Sequence, residues 1–173
     1  RPVRGDEELV EALWKHLSEK TAISDDAMDL VATQAVTNRP PLGFFRRFVV
    51  EKSGEHKNEL NIYQKGIRPL ADAVRIFALE KKIEEIQTLS RVKGLKQRHG
   101  FEFAVDIEHA FDYLLELLIH HQLEQVENNT GPDKFLNPET MSGIEKKTLK
   151  EAFQLIVTLY DIIEKNYKTE RIG

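Results

Sequence analysis

Two long apolar stripes at helical spacing constrain this chain more than any other feature of its sequence. Ala104, Ile107, Phe111, Leu114, Leu115 and Leu118, with His121 or Gln122 next, recur at three- and four-residue intervals. Leu149, Ala152, Phe153, Ile156, Leu159, Tyr160, Ile163 and Tyr167 do the same. Residues three and four apart share one side of an α-helix, so each run presents a core-wide apolar face and requires a partner to cover it. Spacing therefore predicts helices over 102–127 and 145–167, packed across the connection between them. Circular order or strand alternation would not produce either stripe.

The remaining segments follow the same period. Leu9, Val10, Leu13 and Leu17 form a stripe that Asp6 can cap; Met28, Val31, Ala32 and Ala35 form a second, capped by Ser24 or Asp25. Asn38-Arg39-Pro40-Pro41 stops that helix, because proline lacks an N–H and disfavours α geometry in the residue before it. Residues 42–51 read as a short helix, 52–56 as a loop, and Leu60–Tyr63 as a short extended piece that Gly66 breaks. Pro69 suits the first turn of a helix whose stripe is Leu70, Ala73, Val74, Phe77 and Ala78. A helix over 83–98 carries Ile83, Ile86, Leu89, Val92 and Leu95, and Gly94 and Gly100 each weaken or end it. The connection 128–144 is long for a bundle. Asn137-Pro138 predicts one helical turn inside it, and Ser142-Gly143-Ile144-Glu145 is a capping box for the last helix. The expectation is an all-α helical bundle with a long structured connection before its last helix.

The 173 residues suffice for one well-buried core, and the 15 glycines and prolines are too few for a turn-rich β-sandwich. Cysteine is absent, which excludes disulfides, thiolate zinc sites and a cysteine nucleophile, and fits a reducing compartment. No apolar run approaches a membrane span, so no membrane partner is expected. Arg1-Pro2-Val3-Arg4 is neither a signal peptide nor an initiating methionine, and reads as the interior of a longer protein. Charge is unevenly spread. Residues 1–38 carry 4 basic and 8 acidic side chains, 39–98 carry 14 and 7, and 99–173 carry 7 and 14. A segment of net +7 between acidic flanks either faces an anion or is salt-bridged to those flanks across helices.

No nucleophile elbow, phosphate-binding glycine loop or dinucleotide fingerprint is present. The six histidines make no His-x-x-x-His pair, so no metal site is expected, and paired carboxylates such as Glu84-Glu85 read as surface acids. The cluster with chemical promise is His56, Lys57, Lys65, Arg68, Asp72 and Arg75, with Arg46 and Arg47 upstream. Arg68, Asp72 and Arg75 share a helix edge by spacing, so an Arg–Asp pair there leaves a second guanidinium for a phosphate. Lys65-Gly66 precedes the expected helix N-terminus, where backbone N–H groups favour anions. The alternative is a surface helix with an internal salt bridge.

Arg39-Pro40-Pro41-Leu42-Gly43-Phe44-Phe45-Arg46-Arg47-Phe48-Val49-Val50-Glu51, then Gly54-Glu55-His56-Lys57, then the run from Lys65 to Leu79 resemble one known family. His121-Gln122, Pro132-Asp133, Asn137-Pro138 and Leu149-Lys150-Glu151-Ala152-Phe153 are similar to the same family. It is the C-terminal substrate-binding region of bacterial nucleotidyltransferases assigned to signal transduction. Their full-length forms often carry cyclic-nucleotide-binding and CBS modules, and they are similar to the uridylyltransferases and adenylyltransferases of nitrogen regulation. The resemblance implies a domain that binds nucleotide or acceptor beside an upstream catalytic domain, and is not catalytic alone. It implies that 1–38 is the catalytic domain's tail or junction and 39–173 the helical bundle. Magnesium and a nucleoside triphosphate are implied for the full-length parent and no cofactor for these residues. The implied partners are the catalytic domain, a protein acceptor or a second copy, rather than nucleic acid, in the cytoplasm. Asn61 and Tyr63 depart from the aspartate and lysine of many relatives. The competing reading is a protein-interaction or dimerisation bundle with no ligand.

Overall fold

A computed structural model describes residues 7–21, 25–40 and 48–169. Six α-helices appear among them: α1 (Glu7–Thr21), α2 (Asp25–Val36), α3 (Arg68–Glu80), α4 (Thr88–His99), α5 (Ala104–Glu127) and α6 (Gly143–Asn166). A two-stranded antiparallel ladder joins β1 (Leu60–Asn61) to β2 (Phe135–Leu136), with Leu60 opposite Leu136 and Asn61 opposite Phe135. The fold is all-α, with that short ladder as a clasp. No helix among the described residues is long and apolar enough to cross a membrane.

The long stripes do what their period demands. Leu149, Ala152, Phe153, Ile156, Leu159, Tyr160 and Ile163 of α6 are all buried, as are Ala104, Ile107, Ala110 and Leu114 of α5. α3 enters the same core through Leu70, Ala73, Val74, Ile76, Phe77 and Ala78. α2 belongs to it too, packing Met28, Ala32, Ala35 and Val36 against α3 and α6. Ser142 caps α6 by the expected box: Glu145 N–H donates to the Ser142 hydroxyl at 3.2 Å, and Ser142 N–H to the Glu145 carboxylate at 2.8 Å. Asn137 caps a 3₁₀ turn over Pro138–Thr140, the single turn its Asn-Pro signal predicts.

Four local expectations change. Gly66 does not break the chain. It lies inside a π-helical turn, Tyr63–Ile67, that runs directly into α3. Its missing side chain is what α5 and α6 need: a Cβ there would stand 3.1 Å from Leu114 Cδ2 and 3.2 Å from Phe153 Cε1. The helix expected over 83–98 begins only at Thr88, leaving Ile86 exposed, while Gly94 sits in its interior under Ile83. Gly100 does end it, in the left-handed conformation at φ 61° that glycine adopts without strain. α1 forms, but Leu9 and Leu13 on its expected core face are 69% and 58% exposed, because α1 lies at the margin of the bundle beside α2. Of the short helix expected over 42–51, residues 42–47 lie outside the described residues. Residues 48–51 are not helical, and Glu51 N–H instead donates to the Glu59 carbonyl across a turn.

Candidate functional site

The residues Lys65, Arg68, Asp72 and Arg75 ride on one continuous helical segment, the π turn and α3. Asp72 lies between the two arginines. Its Oδ1 is 3.2 Å from Arg75 Nη2 and its Oδ2 is 3.7 Å from Arg68 Nε. The i, i+3 and i, i+4 spacing predicts this sharing. One carboxylate thus faces two guanidiniums, so the edge keeps a net positive charge and free N–H donors. Both arginines are half exposed, and the carboxylate between them is largely covered.

Two arginines that sequence spacing does not connect to this edge add positive charge to its surroundings. Arg91 of α4 is lowered in pKa, first by burial and then by the neighbouring charge of Arg75. Its Nε donates to the Glu85 carbonyl at 2.7 Å, which fixes the guanidinium beside a like charge. Arg39 pairs with Glu164 and Asp161 of α6, and the Glu164 hydrogen bond is the main reason its pKa rises. Beneath them Tyr160 donates its hydroxyl to the Pro69 carbonyl at 3.3 Å. Its pKa is pushed up by burial first and then by Asp72, against the opposing pull of Arg39 and Arg68. Tyr160 therefore stays a neutral donor that fixes the start of α3 under the charged edge.

The structure separates the six candidate residues into two groups. Lys65 Nζ donates to Asn38 Oδ1 at 3.1 Å, and Asn38 Nδ2 donates to the Gln64 carbonyl. This pair fastens the end of α2 to the π turn. The anion site expected from backbone N–H groups at 65–69 is not formed, because the segment is already helical there and Arg68 N–H is bonded to the Tyr63 carbonyl. His56 lies elsewhere, in the turn before β1. It stacks on Phe135 of β2 at 3.6 Å between ring centroids, and its Nδ1 meets the Glu59 carboxylate at 2.9 Å. Lys57 beside it is exposed. Neither is joined to the α3 edge by a hydrogen bond or ion pair among the described residues. Arg46 and Arg47 lie outside the described residues.

The alternative reading of the basic segment holds for part of it. Arg39 and Lys96 are spent across helices, on Asp161 and Glu164 of α6 and on Glu108 of α5. Arg98 is spent on Glu85. Lys52, Lys57, Lys82 and Lys93 are exposed singly, and Arg68 and Arg75 are the two cations that share one carboxylate. The His121 and Asp133 motif is a fastening. Phe135 N–H and His121 Nε2 meet Asp133 Oδ1 at 2.8 and 3.3 Å, and Gln122 and Gln125 bond the Asp133 backbone. This holds β2 against α5. No group of three His, Asp or Glu side chains converges as metal ligands among the described residues.

A family model described as "Putative nucleotidyltransferase substrate binding domain" matches residues 25–167. No curated protein and no solved structure gives a significant match.

Proposed function

The chain belongs to the family of nucleotidyltransferase substrate-binding domains, and from that premise we propose that it holds a phosphate-bearing substrate for a catalytic domain elsewhere. The observation that carries the proposal is the α3 edge, where Asp72 is shared by Arg68 and Arg75 with Arg91 adjacent. Nucleotidyl transfer rests mostly on positioning the phosphates and stabilising their charge. An arginine fork matches a phosphate in geometry as well as charge, and a second arginine held against the first relieves its repulsion by taking up the anion. Asp72 orients the guanidiniums. Both its oxygens are engaged by those guanidiniums, so it is assigned an orienting role.

On this reading the domain does not transfer nucleotide by itself. Magnesium and the nucleoside triphosphate are held chiefly by the catalytic domain, and the pair acts in cytoplasmic signal transduction. Lys65 braces the start of the edge through its bond to Asn38, whereas His56 and Lys57, on the turn before β1, are assigned no part in holding the phosphate. Calorimetric titration with magnesium–ATP and magnesium–UTP at low salt tests this. Arg68→Ala should weaken binding by roughly 1.5–3 kcal/mol, the scale of a hydrogen bond to a charged group, with little change in unfolding midpoint. The loss should shrink as salt is raised. Absence of nucleotide binding by the wild type, together with unfolding of Arg68→Ala, would make the edge structural and refute the proposal.

A further inference from the structure

α5 is longer than its core contacts require. Its buried side enters the bundle through Ile107, Ala110 and Leu114. Farther along, His121, Gln122 and Gln125 are fastened to Asp133 of the following connection. The opposite side of the same turns carries Ile119, Leu123 and Val126, which are 52%, 55% and 56% exposed. Their spacing of four and three places them in a single row. Scattered surface aliphatics are ordinary, but a row of three at helical spacing, rimmed by charge, is the imprint of a packing partner.

The rim is acidic. Glu116, Glu124 and Glu127 flank the row, are exposed, and have no ion-pair partner among the described residues. Glu116 and Glu124 also form one wall of a cleft of about 680 Å³. Glu59 and Glu145, whose carboxylates are engaged by His56 and by Ser142 N–H, also line it together with His120 and His121, and Leu117 and Met141 contribute apolar surface. Burial and the Glu145 charge push the Tyr113 hydroxyl in this wall up to about 12, so it stays neutral beside the acids.

We propose that this outer face of α5, with the acidic cleft along it, docks a basic amphipathic helix of a protein partner. Three aliphatic side chains in one row match the narrow apolar face of a second helix laid along the first. Lysine or arginine side chains flanking that face would reach over Glu116 and Glu124 into the cleft. Charge selects this occupant over the others. In a two-fold pair each patch meets its own copy, which would set Glu116, Glu124 and Glu127 against the same acids. An anionic lipid surface would be repelled by the same rim. The proposal does not rest on the phosphate reading of the α3 edge.

The test is selection from a display library of helical peptides about five turns long, against the whole chain and against Leu123→Ser/Val126→Ser. Enriched peptides should carry aliphatics at i, i+3 or i+4 and i+7, flanked by lysine and arginine. A synthetic peptide of that pattern should bind the double variant at least about tenfold more weakly, with the loss read as faster dissociation. Glu116→Gln/Glu124→Gln should flatten the salt dependence of association. All four positions are exposed, so helical circular dichroism and unfolding midpoint should be unchanged in both variants. Equal enrichment on the double variant, or enrichment of peptides that are acidic or lack an apolar row, would overturn the proposal. So would sedimentation showing a dimer, or flotation with anionic vesicles, that Leu123→Ser/Val126→Ser abolishes, since a second copy or a membrane would then be the occupant.

Discussion

Replacing Gly66 with alanine should destabilise the protein, against the usual gain of that exchange in a helix. Alanine is better than glycine inside a helix by about 1 kcal/mol, and it restricts the unfolded chain as well. Here the added methyl would lie 3.1 Å from Leu114 Cδ2, 3.2 Å from Phe153 Cε1 and 3.5 Å from Ile62 Cδ1. All three neighbours are fully buried, so none can swing into solvent to make room. Overpacking a close-packed site costs about 1–3 kcal/mol. The difference is a net loss of about 1 kcal/mol, or roughly 2–4 °C in melting temperature for a chain of this size. Urea unfolding followed by circular dichroism measures it, with an unchanged m-value showing that only stability moved. Gly94→Ala is the matched control. Its Cβ would meet Ile83 Cγ2 at 3.3 Å and the partly exposed Glu85 carboxylate at 3.4 Å, a side chain that can turn aside. The same exchange should be neutral or stabilising there. A Gly66→Ala protein more stable than wild type by about 0.5 kcal/mol would refute the account of close packing at the π turn, as would equal effects at both glycines.

Tyr160→Phe removes a buried donor and its bond to the Pro69 carbonyl, and should cost about 0.5–1.5 kcal/mol in the same assay. Ser142→Ala removes the hydroxyl that accepts from Glu145 N–H, leaving only the backbone half of the capping box, and should cost about 1 kcal/mol, visible as a lower unfolding midpoint. Burial works to raise the Asp133 pKa, but hydrogen bonds from Phe135 N–H, Gln125 and His121 outweigh it and hold the carboxyl below its ordinary value. The Ser142 hydrogen bonds hold Glu145 low in the same way. A carboxyl depressed in the folded state gives stability that is present above its unfolded pKa and is lost as pH falls through the folded one. Denaturant midpoints should therefore drop below about pH 4. The drop should be smaller in Asp133→Asn, which keeps an acceptor for Phe135 N–H but cannot titrate; an identical drop would exclude Asp133 as a contributor.

Elements whose causes lie within a few residues are legible in the order of the amino acids. The stripes of α3, α5 and α6 follow from 3.6-residue periodicity, and every α6 position from Leu149 to Ile163 on the predicted face is buried. The capping box at Ser142 and the turn after Asn137 were legible because caps are made between residues two or three apart. The Arg68–Asp72–Arg75 sharing was legible for the same reason. Tertiary structure decided everything that joins distant positions. Gly66 reads locally as a break, yet it continues a helix, because the space it must leave is set by Leu114 and Phe153. The two residues of β1 acquire strand geometry only by meeting β2 more than 70 positions on, a pairing that no local preference encodes. Lys65 turns to Asn38, Arg39 to α6, and Arg91 comes up beside Arg75, so the composition of the charged edge depends on which helices pack together. The apolar rows of α1 and α5 make the same point from the other side. Periodicity shows that a face is apolar, but only the packing of the whole chain decides which faces are covered and which are left for something else.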